Sequence, residues 1–256
     1  MRLLFLGDVV GEGGCNFVFE KLPSFKRKEQ IDICIANGEN SAKGNGVTPK
    51  SCKMLFDCGV DMLTLGNHTF KRPEIMDYLD SDVDVIRPYN YPDGAPGKGV
   101  GIIDKGRYRV AVINMLGTAY SEPLGNPFSA MDKALADVDG CKTIIVDFHA
   151  EATAEKRAMG FYLDGKATAV LGTHTHVQTA DEQLLPKGTA YITDLGMVGP
   201  VQSVLGIEPS LTIKKFKTNL PVKFDNAKGE YCMSGCIIEI DEKSGKAKSI
   251  ERVNVK

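Results

Sequence analysis

The sequence predicts an α/β fold that combines a largely parallel sheet with antiparallel strands. In the first half of the chain, short apolar runs alternate with amphipathic segments, a pattern typical of parallel strands with helices packed outside them. After residue 97 the pattern changes, and strand-like runs separated by short turns indicate β-hairpins. Because no repeat, low-complexity tract or clear linker interrupts the 256 residues, we predict a single domain over residues 1–256.

Four buried strands are predicted in the first half of the chain, over residues 2–7, 31–36, 61–65 and 83–86. Helices are predicted between them, over residues 14–22, 48–58 and 72–78. The second helix has the clearest boundaries. Thr48 is a capping residue, Pro49 fits the first helical position, and Gly59 suits the C-terminal cap.

The second half begins with a predicted hairpin of residues 99–104 and 107–115, because only Lys105 and Gly106 separate these two runs. Further strands are predicted over residues 142–148, 167–171 and 189–193. Helices are predicted over residues 129–138 and 153–160. The C-terminal runs 236–240 and 248–255 flank a turn and predict a final hairpin.

The composition predicts a soluble protein with a substantial core, since 43% of the residues are hydrophobic and 25% are charged. The net charge of −2 gives no electrostatic case for binding nucleic acid or an anionic membrane, although it leaves a local basic patch open. No apolar stretch approaches the roughly 18 residues of a membrane span, and the run at residues 3–6 is too short for a signal peptide. We therefore expect a cytoplasmic protein.

Seven cysteines, an odd number in a chain of this size, favour reduced thiols in a reducing compartment. Cys232 and Cys236 are four residues apart, but no second cysteine pair or nearby histidine completes a zinc site. The roles of these two cysteines are left open by the sequence.

The histidines are confined to three short segments of the chain. All four lie in the runs Gly66-Asn67-His68, Asp147-Phe148-His149-Ala150-Glu151 and Gly172-Thr173-His174-Thr175-His176. Two acidic segments, Gly7-Asp8 and Gly38-Glu39-Asn40, complete the set. Each segment follows a predicted strand, so we expect its polar side chains just past the carboxyl ends of five strands, where sites form in α/β sheets.

Imidazole, carboxylate and amide oxygens without thiolate suit manganese, iron or zinc. Six or seven such groups are too many for one tetrahedral ion, but two ions sharing a bridging carboxylate would use them all. Two divalent ions, Asp8, Glu39 and a bridging hydroxide leave a formal charge of about +1, which attracts an anionic ester, and the hydroxide is available near pH 7. The constellation therefore predicts phosphoester hydrolysis.

Single residues of the set have simpler interpretations. Asp8 alone fits a helix N-cap, Asn67 fits a turn, and His149 fits a hydrogen-bonded core histidine. The pair His174 and His176 after an apolar run is harder to explain without a metal. A P-loop, a dinucleotide-binding fingerprint and a serine nucleophile elbow are all absent from the sequence.

Two other functions are left open by the residues alone. His174-Thr175-His176 would also serve a metal-dependent amidohydrolase, although Gly66-Asn67-His68 argues against that class. The other alternative is a non-enzymatic regulatory or RNA-associated protein whose metals are structural. Oligomeric state is not fixed by the sequence, and a homo-oligomer stays an open alternative.

The ordered motifs resemble the bacterial YmdB family of calcineurin-like metallophosphoesterases over residues 1 to about 207. The segments that carry the resemblance are Gly-Asp-Val-Val-Gly from residue 7, Asn-Gly-Glu-Asn from 37, Leu-Gly-Asn-His from 65, Asp-Phe-His-Ala-Glu-Ala-Thr from 147 and Gly-Thr-His-Thr-His-Val-Gln-Thr-Ala-Asp from 172. The resemblance implies a sandwich of two mixed β-sheets flanked by helices, a two-metal centre, and phosphodiesterase activity toward 2′,3′-cyclic nucleotides by attack of a metal-bridging hydroxide.

The resemblance also implies a role for each site residue. The first metal would take Asp8, Glu39, Asn40 and His176, and the second Glu39, Asn67, His149 and His174. His68 would act as general acid or hold the phosphate. The usual Asp-x-His of the wider superfamily is Asp8-Val9-Val10 here, and its bridging aspartate is Glu39. Both departures agree with the YmdB branch, which favours iron, with manganese or zinc as alternatives.

Overall fold

The computed structural model describes residues 1–81 and 83–256. The strands follow one another as β1 (Arg2–Val9), β2 (Ile33–Asn37), β3 (Met62–Thr64), β4 (Val85–Ile86), β5 (Val100–Asp104), β6 (Arg109–Leu116), β7 (Thr143–His149), β8 (Ala169–Thr173), β9 (Gln183–Leu184), β10 (Ala190–Ile192), β11 (Met197–Pro200), β12 (Tyr231–Ile240) and β13 (Ala247–Val255). The helices are α1 (Gly11–Lys28), α2 (Pro49–Asp57), α3 (Ile75–Leu79), α4 (Pro127–Asp137), α5 (Thr153–Tyr162) and α6 (Pro209–Thr218).

These strands form two mixed sheets, as predicted. The first has the order β13-β12-β11-β1-β2-β3-β4, with β1 parallel to β2 and β11 but antiparallel to β12. The second has the order β5-β6-β7-β8-β10-β9, in which four central parallel strands lie between antiparallel edges. Since β1 pairs with β12, the start and the end of the chain share one sheet, and the single domain over residues 1–256 stays a prediction.

The two sheets pack face to face. Alternate residues of β1 point to opposite sides of the first sheet, so one set faces the second sheet and the other set faces the helices. Leu3 and Phe5 are fully buried among residues of the second sheet, including Val112 and Leu171. Leu4 and Leu6 instead pack beneath α1 and α2, in a cluster that contains Val18, Leu22 and Leu55. A third cluster covers the outer face of the second sheet beneath α4 and α5. Helices therefore flank both sides of the sandwich.

Most predicted elements are present, with shifted ends. Thr48 caps α2 by accepting a hydrogen bond from Ser51 N, and Gly59 after the helix has φ +103°. The runs 99–104 with 107–115 and 236–240 with 248–255 form the antiparallel pairs β5–β6 and β12–β13. One detail is wrong: β1 and β7 extend far enough to include Asp8 and His149, which therefore lie inside strands rather than after them. The elements β9, β11 and α6 were not predicted.

All seven cysteines are free, and five of them are buried. Cys232 and Cys236 lie in β12 on the first sheet. Within the described residues, no helix is both long enough and apolar enough to cross a membrane.

Candidate metal centre

The predicted site residues meet where the carboxyl ends of strands from both sheets adjoin. Asp8 is the last residue but one of β1, and Glu39 and Asn40 follow β2. Asn67 and His68 follow β3 in the same sheet. The second sheet contributes His149, the last residue of β7, and His174 and His176, which follow β8. All eight side chains lie at or beneath a cleft of about 660 Å³, so the structure brings the whole predicted set together.

One group of donor atoms surrounds His149. Its Nε2 lies 3.3 Å from Glu39 Oε1, 3.1 Å from Asn67 Oδ1 and 3.1 Å from His174 Nδ1. Glu39, His149 and His174 each place one ligand atom within 4.8 Å of the others. Several lone pairs converge on this point, and a cation of the kind that imidazole and carboxylate favour would satisfy them.

A second group of donor atoms surrounds His176. Its Nε2 lies 3.6 Å from Asp8 Oδ1 and 3.4 Å from Asn40 Nδ2, and that amide is 3.1 Å from Glu39 Oε1. Asp8 is fully buried, and its Oδ1 has no hydrogen-bond partner in the described part of the chain. An unpartnered buried carboxylate oxygen is costly, so the residues of this group fit a cation.

Asn40 has an orientation that the sequence did not indicate. Its amide nitrogen faces Glu39 and His176, while its oxygen lies 2.8 Å from His68 Nδ1. To bind a cation through oxygen, the Asn40 amide must therefore turn over.

The charged side chains of the cluster shift one another's pKa values. Burial by itself raises the pKa of Glu39, but His149 and His68 outweigh burial and hold that pKa well below its usual value. Burial acts against the charge of His149, yet Glu39 and Asp8 raise the pKa of His149 to about 9. Burial and the neighbouring His149 lower the pKa of His174. A proton on His149 thus offsets part of the negative charge of the buried carboxylates, and a bound cation would replace that proton.

A buried network behind β7 fixes the tautomer of His149. Thr173 Oγ1 donates its single proton to Asp147 Oδ1 at 2.6 Å, so at 2.9 Å it accepts from His149 Nδ1. Asp147 also accepts from Thr64 Oγ1 at 2.5 Å and from Asn37 Nδ2 at 3.0 Å. Neutral His149 therefore keeps its proton on Nδ1 and presents the lone pair of Nε2 to the cluster.

The loop after β8 has a strained backbone, and hydrogen bonds to a buried ion pair hold it in place. His174 and His176 have φ values of 101° and 62°, a left-handed region that residues with a side chain rarely adopt. Between them, Thr175 donates from N and Oγ1 to Asp194 Oδ2, at 3.0 and 2.7 Å. The same oxygen accepts from Lys156 Nζ at 2.7 Å, in an ion pair that is almost fully buried. This pair anchors the segment that carries both histidines.

Position 66, directly before Asn67, needs a glycine because there is no room for a side chain. A Cβ atom at this position would collide with the Glu39 carboxylate and the His149 ring. Its φ is not in the left-handed region, so the glycine serves close approach rather than a special turn. The next residues then reach back, and His68 N donates to Glu39 Oε2 at 2.9 Å.

Several residues of the site were not predicted. Glu151 Oε2 lies 3.1 Å from His174 Nε2, and Glu151 could have been found because it follows His149 by two residues in the same segment. Asp194 follows β10, and no sequence pattern indicated that its carboxylate binds the histidine loop. Phe224 lines the cleft from a distant part of the chain, and no sequence pattern pointed to it.

Two facing mixed sheets with this cluster at their carboxyl ends have the architecture of a metallophosphoesterase. The fold is shared with a candidate 5′-nucleotidase of Staphylococcus aureus at a TM-score of 0.62, with 17% identity over 99% of this chain and 54% of that one.

Residues 4–253 match the family model described as YmdB-like protein, and the chain belongs to this family. A relative from Bacillus subtilis strain 168, named 2′,3′-cyclic-nucleotide 2′-phosphodiesterase, is 48% identical over 99% of this chain and 96% of its own length. A solved structure from Mycoplasma pneumoniae, described as a novel phosphatase, is similar at a TM-score of 0.93 and 35% identity. The match covers 100% of this chain and 93% of that chain.

Proposed function

We propose that this protein is a metal-dependent phosphodiesterase that opens the cyclic phosphate of 2′,3′-cyclic nucleotides. The observation that carries the proposal is the pair of donor groups that meet at Glu39, with His68 beside them on the same cleft. The name of the Bacillus subtilis relative, 48% identical along nearly the whole chain, supports this substrate class.

The proposed metal ligands form two sets. Asp8, Asn40 and His176 would hold one ion, Asn67, His149 and His174 the other, and Glu39 would contribute to both. When bound, such ions supply Lewis acidity toward phosphoryl oxygens and toward water. Imidazole, carboxylate and amide ligands suit iron, manganese or zinc, and iron remains our preferred metal because the resemblance to the YmdB branch favours it.

The contacts of His68 support a role in proton transfer. Its Nδ1 lies 3.1 Å from Glu39 Oε1, a contact that does not depend on the orientation of the Asn40 amide, so Nε2 is the nitrogen left for a ligand in the cleft. In the reaction, a water oxygen joins phosphorus and the bond from phosphorus to one ribose oxygen breaks. We assign His68 to protonate that leaving oxygen.

The rest of the cleft fits a nucleoside. Leu205, Ile207 and Phe224 give it an apolar side, and Asn45 and Asn226 add amide groups. Phe224 is 44% exposed, which leaves an aromatic face for stacking against a base. The amides can pair with the polar edge of a base or with ribose hydroxyls.

The proposal includes a cytoplasmic location. Seven free thiols, five of them buried, fit a reducing compartment better than an oxidising one.

The decisive experiment combines metal analysis with two assays. Protein purified without chelators should contain about two metal ions per chain by elemental analysis, because two sets of ligands are available. It should hydrolyse 2′,3′-cyclic AMP much faster than 3′,5′-cyclic AMP, and it should not hydrolyse an amide substrate. Less than one ion per chain together with no phosphodiester turnover would refute the proposal.

A further inference from the structure

A basic cleft adjoins the metal centre. Its volume is about 760 Å³, and it shares Gly44, Phe224 and Asn226 with the cleft above the cluster, so the two are continuous. Four basic side chains line it against two acidic ones, and they are Lys43, Arg72, Lys223 and Lys228 against Glu12 and Asp225. A smaller cleft of about 240 Å³ on the same side adds Lys50 and Glu74.

The lysines of this cleft are available to a ligand. Lys43, Lys223 and Lys228 are exposed, and no ion pair found among the described residues involves any of them. Elsewhere on the surface, Lys53 and Lys248 pair with Asp57 and Asp241. The basic cleft therefore keeps unneutralised positive charge beside a site that binds an anion.

Arg72 lies where the two clefts join and donates hydrogen bonds to the backbone there. Its Nε donates to Asn45 O at 3.0 Å, and its Nη2 donates to Lys43 O. These bonds fix the backbone that carries Lys43 at the junction. The cleft also contains aromatic surface from Phe224 and Tyr231. Cations spaced along a groove together with aromatic faces are the usual features of a surface for single-stranded nucleic acid.

We propose that the substrate is the 3′ end of a short RNA that carries a terminal 2′,3′-cyclic phosphate. This inference rests on the proposed function and extends it. The terminal cyclic phosphate lies at the metal centre, and the backbone phosphates upstream of it lie against Lys43, Lys223 and Lys228. The metal-centre cleft alone is large enough for a mononucleotide, and the adjoining basic cleft has the room and the positive charge for the backbone of a longer substrate. The net charge of −2 hides this local arrangement.

The test compares adenosine 2′,3′-cyclic phosphate with a pentaribonucleotide that ends in the same group. For the metal-loaded protein at low salt, kcat/KM should be about ten-fold higher for the pentamer, because each lysine neutralises a phosphate. On a plot of log kcat/KM against the logarithm of the salt concentration, the slope for the pentamer should be more negative than the slope for the mononucleotide by about 2. This difference is roughly 0.7 for each of the three lysine–phosphate contacts.

The test variant is K43Q/K223Q/K228Q, and the matched control is K214Q/K215Q/K217Q. The control removes the same charge from α6, whose three lysines line neither cleft. The ratio of pentamer to mononucleotide should fall to near one in the test variant and stay at the wild-type value in the control. A wild-type ratio near one, or an equal loss in both variants, would overturn the inference.

A binding measurement separates this inference from the proposed function. The probe is a fluorescent pentaribonucleotide with a 3′-phosphate, whose binding to the metal-loaded protein needs no turnover. The Kd of this probe should be about ten-fold higher for the test variant than for the control. Mononucleotide turnover with no such difference contradicts only the RNA substrate. Absence of turnover on both substrates contradicts the proposed function, whatever the binding shows.

Discussion

At the scale of single residues, the neighbours Asn67 and His68 are directed to different tasks by their contacts. The Asn67 oxygen joins the donor group around His149. His68 instead turns its Nδ1 to Asn40 and Glu39 and lines the cleft. We therefore propose different roles for the two residues, a metal ligand for Asn67 and a proton donor for His68.

His68→Ala should reduce turnover of 2′,3′-cyclic AMP by about 10²- to 10⁴-fold, the usual contribution of a general acid. The metal content should stay at the wild-type value, because the donor groups around His149 and His176 do not need the His68 ring. Steady-state kinetics and elemental analysis of the same preparation check both statements. Full activity in the variant would refute the acid role.

Phe224→Ala should raise KM for 2′,3′-cyclic AMP by about five-fold or more, because stacking of a base on an aromatic ring contributes roughly 1 kcal/mol or more. The matched control is Phe216→Ala, since Phe216 is 82% exposed and does not line the cleft. An unchanged KM in Phe224→Ala, or equal changes in both variants, would show that Phe224 does not bind the base.

At the scale of elements, the loop after β8 owes its shape to residues far from it in the sequence. Thr175 lies between the two histidines and donates to Asp194, which follows β10. Asp194 in turn pairs with Lys156 of α5. A strained loop is maintained only when its surroundings fix it, and here a buried ion pair does so.

Lys156→Met should lower the free energy of unfolding by about 3–5 kcal/mol, since it leaves the Asp194 carboxylate buried without its partner. The control is Lys53→Met, which removes an exposed pair with Asp57 and should cost about 0.5 kcal/mol or less. Urea titrations of the two variants measure the difference. Equal losses would contradict the anchoring role of the buried pair.

At the scale of the whole molecule, the cluster joins the two sheets. Asp8, Glu39 and Asn67 come from the first sheet and its loops, and His149 and His174 come from the second. Asp8 and Glu39 are almost fully buried, so without a cation their charges rest on the neighbouring imidazoles. We therefore expect a bound metal to stabilise the contact between the sheets.

Removal of the metal should lower the Tm by about 5–10 °C. Metal at one hundred times its Kd adds about 2.7 kcal/mol to the stability, and in a chain of this size each kcal/mol shifts the Tm by roughly 2–4 °C. Scanning calorimetry with and without a chelator measures the shift. His176→Ala should reduce it, and an unchanged shift in that variant would mean that His176 does not bind metal.

The helix α6 shows where sequence patterns lose their power. It was not predicted because it has no apolar stripe facing the core: Ile213 and Phe216 are exposed, and Thr212 is its buried residue. The strand β11 is short and contains Gly199 and Pro200, so it lacks the run of apolar residues that marks β1. Both elements lie in a segment whose position depends on contacts with distant parts of the chain.

The sequence by itself determined which residues form the candidate centre and that they lie at strand ends, because apolar runs and the polar residues at their ends are local patterns. Only the tertiary structure decided that β1 to β3 and β7 to β8 belong to two facing sheets whose carboxyl ends meet. It also decided that Asp194 holds the histidine loop and that Lys43, Lys223 and Lys228 share one cleft. These relations join residues far apart in the chain, and pairing over such distances depends on the packing of the whole core, which leaves no local signal.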